Sequence, residues 1–341
     1  MKKKVFATIL AAAMTLSMVG CGAAASSEAP AESTAEVKEE SCVEESEAAG
    51  EEASGAKIAV ILKTQATDFW VKMGDGIKEY CSTNGIDMDF YSATSDTDYE
   101  GQLSILEQCV NSGEYAGIAI APCSGVNMIQ GVKAANDAGI TIVNIDEQFD
   151  EAEMTSQGAV CVAYVSSDNE AIGYMGAEYL SSLIDEGSEV GVIEGIAGNA
   201  STEARAAGAK AAFTDKGMNI VADKACDWDM QTALDAVAAW LTQYPNLKAI
   251  YCCNDGMAAG VRQAVANAGK TGEVLVCGTD GDADAVEAVS AGQMTATVAQ
   301  DPAGIGVKGV EILMDALANP DSYTAVAAPE KTPVDAILVK E

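Results

Sequence analysis

From Lys57 onward the chain repeats one unit, a short unbroken apolar run followed by a longer amphipathic stretch. "KIAVIL" leads into "DFWVKMGDGIKEYCSTNG", "IDMDFY" into the segment around "LSILEQCVNSG", and "YAGIAIAP" into "VNMIQGVKAANDAG" before "ITIVNI". The pattern restarts with "GAVCVAYV" and continues through "EVGVIEG", "LKAIYCC", "EVLVCGTD" and "MTATVAQ". Runs of Ile, Val and Ala without alternation predict strands buried on both faces, hence parallel sheets flanked by helices. Gly85, Gly139, Gly217 and Gly269 stand where helices should stop. The expected fold class is α/β, and the number of strands suits two doubly wound parallel-sheet domains better than one.

The segment before Lys57 is of another kind. "MKKKVFATILAAAMTLSMVGC" has a basic start, an apolar run and small residues before a cysteine, the pattern of an export signal. It is too short and wrongly flanked for an ordinary spanning helix. Its ending resembles a bacterial lipobox, with Met18 unusual at the third position before the cysteine; residues 1–20 are expected to be removed and Cys21 lipidated. Residues 21–56 are rich in Ala, Ser and Glu and poor in large apolar side chains, so a disordered acidic tether to a membrane is expected. The net charge of −33 excludes nucleic acid, whose binding requires a basic surface. Of the ten cysteines, those beyond Cys21 and Cys42 mostly fall inside apolar patterns, so free buried thiols are expected rather than a disulfide framework. Such thiols suit a reducing or anoxic setting.

The residues that end the apolar runs carry the functional reading. Lys63 follows "IAVIL", Asp146 and Glu147 follow "TIVNI", and Asn254 and Asp255 follow "AIYCC". Asp280 and Gln300 end two later runs. In open α/β sheets ligands bind at the carboxyl ends of the strands. Asp and Asn are also ordinary helix caps and turn formers, but Lys63, Glu147 and Gln300 are poor caps, which favours a convergent polar pocket. Phe69 and Trp70 open the first helix and Trp228 sits in the polar segment "CDWDMQ". Rings beside carboxylates and amides suit a neutral polyhydroxylated ligand, whose hydroxyls need acceptors and whose C–H faces need flat apolar cover.

These residues resemble the periplasmic sugar-binding proteins of the ribose-binding cluster, over nearly all of Lys57 to Glu341. The densest stretches are "VILKT" with "DFWV", "GIAIAP", "VNIDE", "IEGIAGNAS-EAR", "KAIYC-ND-MA-GV-QAVANAGKTG", "GTDG" and "AGQMTATVAQ-PA-IG". The resemblance implies two domains joined by a three-strand hinge, the type I periplasmic binding protein fold, with a monosaccharide held between them. It implies no enzymatic activity and no cofactor. Partners would be an ABC permease with its ATPase, or alternatively a receptor that senses the closed form, and the protein would be a monomer. Residues 57–165 with 301–329 would form one domain and 166–300 with 330–341 the other. Crossings are expected near Tyr164–Ser167, Ala299–Pro302 and Pro329–Pro333. The implied ligand-binding residues are Lys63, Phe69, Trp70, Asp146, Glu147, Trp228, Asn254, Asp280 and Gln300, with Asn199 and Glu203 as further members. Ribose binders carry Arg where Glu147 stands here, which favours the D-allose branch over ribose. Thr67 and Asp68, in place of an Asn-Pro pair, and the altered Cys252, Cys253 and Gly256 depart from that branch too.

Other motifs weigh less. "GIGVKG", residues 304–309, matches a dinucleotide fingerprint but follows Pro302 and lacks an acidic strand end further on, so close helix packing is the better reading. "DTDYEGQLSILE" approaches a calcium loop, yet Leu103, Leu106 and Val110 have helical spacing from within it, predicting a helix from about Tyr99. Histidine is absent, which removes His-based nucleophilic triads. Adjacent Asp146 and Glu147 cannot flank a glycosidic bond at the separation hydrolysis requires unless another acid, such as Asp280, joins them.

Overall fold

The structure is a computed structural model and describes residues 55–341. The export signal, Cys21, Cys42 and the acidic stretch up to position 54 lie outside the described residues.

The first lobe alternates β1 (Ile58–Leu62), α1 (Asp68–Thr83), β2 (Met88–Ser92), α2 (Tyr99–Ser112), β3 (Gly117–Ile120), α3 (Ile129–Asp137), β4 (Thr141–Ile145), α4 (Glu151–Gln157) and β5 (Ala163–Ser167). The second runs α5 (Asn169–Ser181), β6 (Glu189–Glu194), α6 (Ala200–Asp215), β7 (Asn219–Ala225), α7 (Met230–Gln243), β8 (Leu247–Cys252), α8 (Asp255–Asn267), β9 (Leu275–Asp280), α9 (Ala283–Ser290) and β10 (Ala296–Ala299). The chain then returns to the first lobe through α10 (Pro302–Ala318) and β11 (Lys331–Val334), and ends in the second with β12 (Ile337–Lys340). The two six-stranded sheets have the orders β11-β5-β4-β3-β1-β2 and β12-β10-β9-β8-β6-β7. Every pairing is parallel except that of β12 with β10.

The unbroken apolar runs became central strands. β1, β3 and β5 are buried along their whole length, as strands covered by helices on both faces must be. β7, "NIVADKA", is a half-exposed edge strand whose polar residues hid it from the pattern. Pro333 is tolerated in β11 because that strand pairs on one side only. That pairing, Lys331 to Val334 along β5, places residues 331–334 in the first lobe, not in the second where 330–341 were expected. The third crossing therefore falls after Val334 rather than at Pro329–Pro333. Likewise β5 continues to Ser167 in the first sheet, two residues past the expected boundary at 165.

Helix ends follow their local chemistry. Gly85, Gly139, Gly217 and Gly269 all take left-handed φ of +65, +80, +72 and +68° after their helices. Asp98 caps α2 by accepting from the Gly101 N–H, so the calcium-like stretch is a capped helix start. "GIGVKG" lies inside α10: a Cβ at Gly306 would sit 2.6 Å from Ile77, and one at Gly309 2.4 Å from Ile145. The eight cysteines of the described residues are unpaired and buried, and burial pushes thiols such as Cys81 and Cys109 up to about 11.

One helix contact positions the site directly. α5 and α6 touch backbone to backbone, since a Cβ at Gly173 would meet Arg205 O at 2.0 Å and one at Gly208 would meet Glu170 O at 2.0 Å. No rotamer change relieves a clash with backbone. We predict that Gly208→Ala separates the helices and costs about 1–3 kcal/mol, as overpacking does elsewhere, readable by chemical denaturation; an unchanged midpoint would mean the contact is slack.

Candidate ligand-binding site

In the first lobe the site is built on the ends of β1 and β4. Buried Asn144 ties the turn after β4: its Nδ2 donates to Glu147 O at 2.8 Å, and its Oδ1 accepts from Phe149 N at 3.1 Å. The Tyr164 and Ser166 hydroxyls donate to Asp146 O at 3.1 and 2.8 Å. These bonds hold Asp146 at φ +63°, a left-handed conformation that costs of order 1–3 kcal/mol in a residue other than glycine. The Asp146 carboxylate is thereby turned into the cavity, where it accepts no hydrogen bond from protein among the described residues. Burial pushes it up to about 6, against the pull of the Lys63 ammonium. Lys63 is itself buried, 3.4 Å from Glu147 Oε2 and 5.4 Å from the Trp70 ring centre. Burial works against its charge, but Glu147 and then Asp146 outweigh that and raise its pKa. Gln102, wholly buried, fixes the ends of the neighbouring strands by donating to Leu62 O and Ala121 O and accepting from Cys123 N. Phe69 and Trp70 meet edge to face with centroids 5.0 Å apart, and Trp70 Nε1 donates to Asp96 at 3.2 Å.

The second lobe supplies the facing wall. Asp280 ends β9 at φ +119°, and its Oδ1 accepts from Gln300 Nε2 at 2.7 Å and Arg205 Nη1 at 3.3 Å. Burial lifts its carboxyl to about 7 in spite of the guanidinium. Arg205 is held by Asn169 Oδ1 at 2.8 Å and Cys253 O at 2.7 Å. The turn after Asp280 is clamped by Asp255, whose Oδ2 accepts from Gly281 N and Asp282 N, both at 2.8 Å. Trp228 takes φ +60°, and a Cβ at Gly195 would lie 2.3 Å from its indole, so only glycine there lets the ring approach. Asp280, Arg205 and Trp228, with Asn199 and Asn254, face Lys63, Phe69, Trp70 and Asp146 around one cavity.

The profile described as "Periplasmic binding protein domain" matches residues 58–321. The chain belongs to the periplasmic binding proteins. The D-allose-binding periplasmic protein of Escherichia coli is 46% identical over 290 residues, 84% of this chain and 93% of that one. The D-ribose/D-allose-binding protein of Pseudomonas aeruginosa is 32% identical, over 82% of this chain and 88% of its own length. An ABC transporter periplasmic solute-binding protein of Actinobacillus succinogenes, solved with bound D-allose, superposes with a TM-score of 0.76 at 29% identity, over 84% of this chain and 97% of that one. A solute-binding protein of Burkholderia multivorans gives a TM-score of 0.78 at 32% identity, over 84% and 100% of the two chains. These relatives are binding proteins, not enzymes, and the type I fold expected from the sequence is the one they share.

In this periplasmic binding protein, Lys63, Phe69, Trp70, Asp146, Asn199, Trp228, Asn254 and Asp280 come together around the cavity. Asn199 and Asn254 also serve as helix caps, with Oδ1 accepting from Thr202 N and Met257 N, so these positions cap helices and line the cavity at once. Three expected members stand elsewhere. Gln300 lies behind Asp280 and orients it, with its own Oε1 buried and unpartnered. Glu203 folds back onto Gly198 N at 3.0 Å at the partly exposed start of α6. Glu147 spends its carboxylate on protein donors. Asp96, Ser201 and Arg205 line the cavity without having been expected as ligand-binding residues, and so does Thr67, noted in the sequence only as a departure from the D-allose branch. Arg205 was legible in part, as a lone guanidinium four residues after Ser201 on an Ala-rich helix and so on the same face.

The burial of Asp146 sets its pH behaviour. Its folded value, about 6, exceeds the ordinary 3.8, so between these limits the folded chain binds more protons than the unfolded one and stability falls as pH rises through that window. Above it the charge costs the ligand-free fold about 3 kcal/mol, the free energy of such a displacement. Asp146→Asn should therefore stabilise the ligand-free protein at pH 8 by about 1–3 kcal/mol and leave it nearly unchanged at pH 4, measured by urea denaturation. Equal stability at pH 8 would mean that the carboxylate is well solvated.

Proposed function

We propose that this protein captures a monosaccharide, D-allose in preference to other aldoses, in the cleft between its lobes and delivers it to an ABC importer. The observation that carries the reading is Asp146: a buried carboxylate held at a strained backbone angle and left without a protein donor. With it around the cavity stand an ammonium already engaged by Glu147 and indole rings from both lobes. A neutral polyol satisfies such a site, because each hydroxyl can donate to a carboxylate and accept from Lys63 or Arg205 while its C–H faces lie on Trp70 and Trp228. The preference for D-allose is supported by the relatives of that name. Placement outside the cytoplasmic membrane, tethered by a lipid on Cys21, is supported by the basic-apolar-small pattern ending in "MVGC".

A thermal-shift panel of D-allose, D-ribose, D-galactose, D-glucose, D-xylose and myo-inositol tests the ligand. Saturation at a hundredfold over Kd contributes about 2.7 kcal/mol, a shift of several degrees, expected for D-allose first. A larger shift with another member moves the specificity to Thr67 and Cys253; no shift with any of them overturns the monosaccharide. Asp280→Ala should lower affinity by roughly a hundredfold, since it removes a buried acceptor and leaves Arg205 without its carboxylate. Retained affinity in that variant would mean the site is misplaced. For the tether, Cys21→Ser should move the protein from the membrane fraction to the soluble fraction, and an unchanged distribution would remove the lipid from the proposal.

A further inference from the structure

Glu147 belongs to the first lobe, yet most of the partners of its carboxylate are in the second. Oε1 accepts from the Ala200 N–H at 2.7 Å and Oε2 from the Ser201 hydroxyl at 2.6 Å. Its one partner at home is Lys63, at 3.4 Å. Ala200 and Ser201 are the first two residues of α6, where free N–H groups and the helix dipole attract a negative charge. Asn199 caps the same helix from within by accepting from Thr202 N, which leaves the Ala200 N–H to be met from across the cleft. Glu147 is 1% exposed and is not among the side chains that line the cavity. We infer that Glu147 is a clasp between the lobes, a positioning residue that holds the closed arrangement through α6 and does not touch the ligand.

A second polar link between the lobes is weaker. Lys72 Nζ reaches Gly281 O at 3.3 Å and Asp282 at 3.9 Å, but that lysine side chain is 42% exposed and its attraction is screened by water. The clasp is buried and charge-assisted, and its loop cannot drift, because Asn144 fixes the Glu147 carbonyl and two hydroxyls fix that of Asp146.

A clasp and a ligand contact differ in a measurable way. The closed form is the binding-competent one, so weakening a clasp divides every apparent affinity by the same factor, whatever the ligand. A group that touches one hydroxyl instead changes the ranking of epimers. The affinity part of the test rests on the monosaccharide reading above; the scattering part does not. Glu147→Asp keeps the charge beside Lys63 but withdraws the carboxylate by one methylene from α6. Glu147→Gln keeps the reach without the charge, and both variants are checked for folding by their thermal unfolding. Calorimetric titration of Glu147→Asp should show D-allose and D-ribose weakened by one common factor, roughly ten- to a hundredfold for the loss of hydrogen bonds to a charged group. Glu147→Gln should lose affinity as well, since it also leaves Lys63 without its carboxylate. Small-angle scattering of the ligand-free protein should show a smaller closed fraction in Glu147→Asp than in the unsubstituted chain. Unequal factors for the two sugars, unchanged affinity in both variants, or identical scattering would each overturn the clasp. If no monosaccharide binds the unsubstituted protein, the sugar reading fails, and the scattering comparison alone decides the clasp.

Discussion

The cleft is organised by two cations kept charged out of water. Lys63 and Arg205 are each about 5% exposed, and an isolated charge so placed would be driven to neutralise. Each is balanced by a carboxylate of its own lobe, Glu147 for Lys63 and Asp280 for Arg205, and each pair is braced by amides and carbonyls fixed in turn to strand ends. Buried pairs of this kind add little net stability, because desolvation consumes most of the attraction. What they provide is geometry: donors and acceptors that a ligand can meet without reorganising them.

The same economy explains where backbone strain collects. Asp146, Asp227, Trp228 and Asp280 are the non-glycine residues with positive φ among the described residues, and three of them line the cavity. Each is clamped by neighbours that have no contact with a ligand to make, namely Asn144 and Ser166 on one side and Asp255 and Gly195 on the other. Strain held by packing elsewhere aims three side chains at one point. A relaxed strand end would send them into the adjoining helix or out to water.

Much of this was legible before any fold was known. Central strands announced themselves as unbroken apolar runs because both faces are covered, and the residues just past them had to gather, since parallel strands end at a common edge. The edge strands β7 and β11 did not announce themselves, because a half-exposed strand carries polar residues and, in β11, a proline. Ser201 was missed, and Arg205 was legible only in part, for a related reason: helical spacing puts them on one face of α6, but does not say whether that face meets the cleft or solvent.

Glu147 marks the boundary between the two kinds of knowledge. Its place beside Asp146 was fixed by the sequence alone, as were the fold class, the export pattern and the polar strand ends, because each depends on neighbours along the chain. Which way its carboxylate turns was decided only when the second lobe brought the start of α6 within 2.7 Å. The left-handed turn at Asp146 parts the two adjacent side chains, so one acid met the cavity and the other met a helix. Contacts between lobes join residues more than fifty positions apart, and no local pattern encodes a distance that only the folded chain creates.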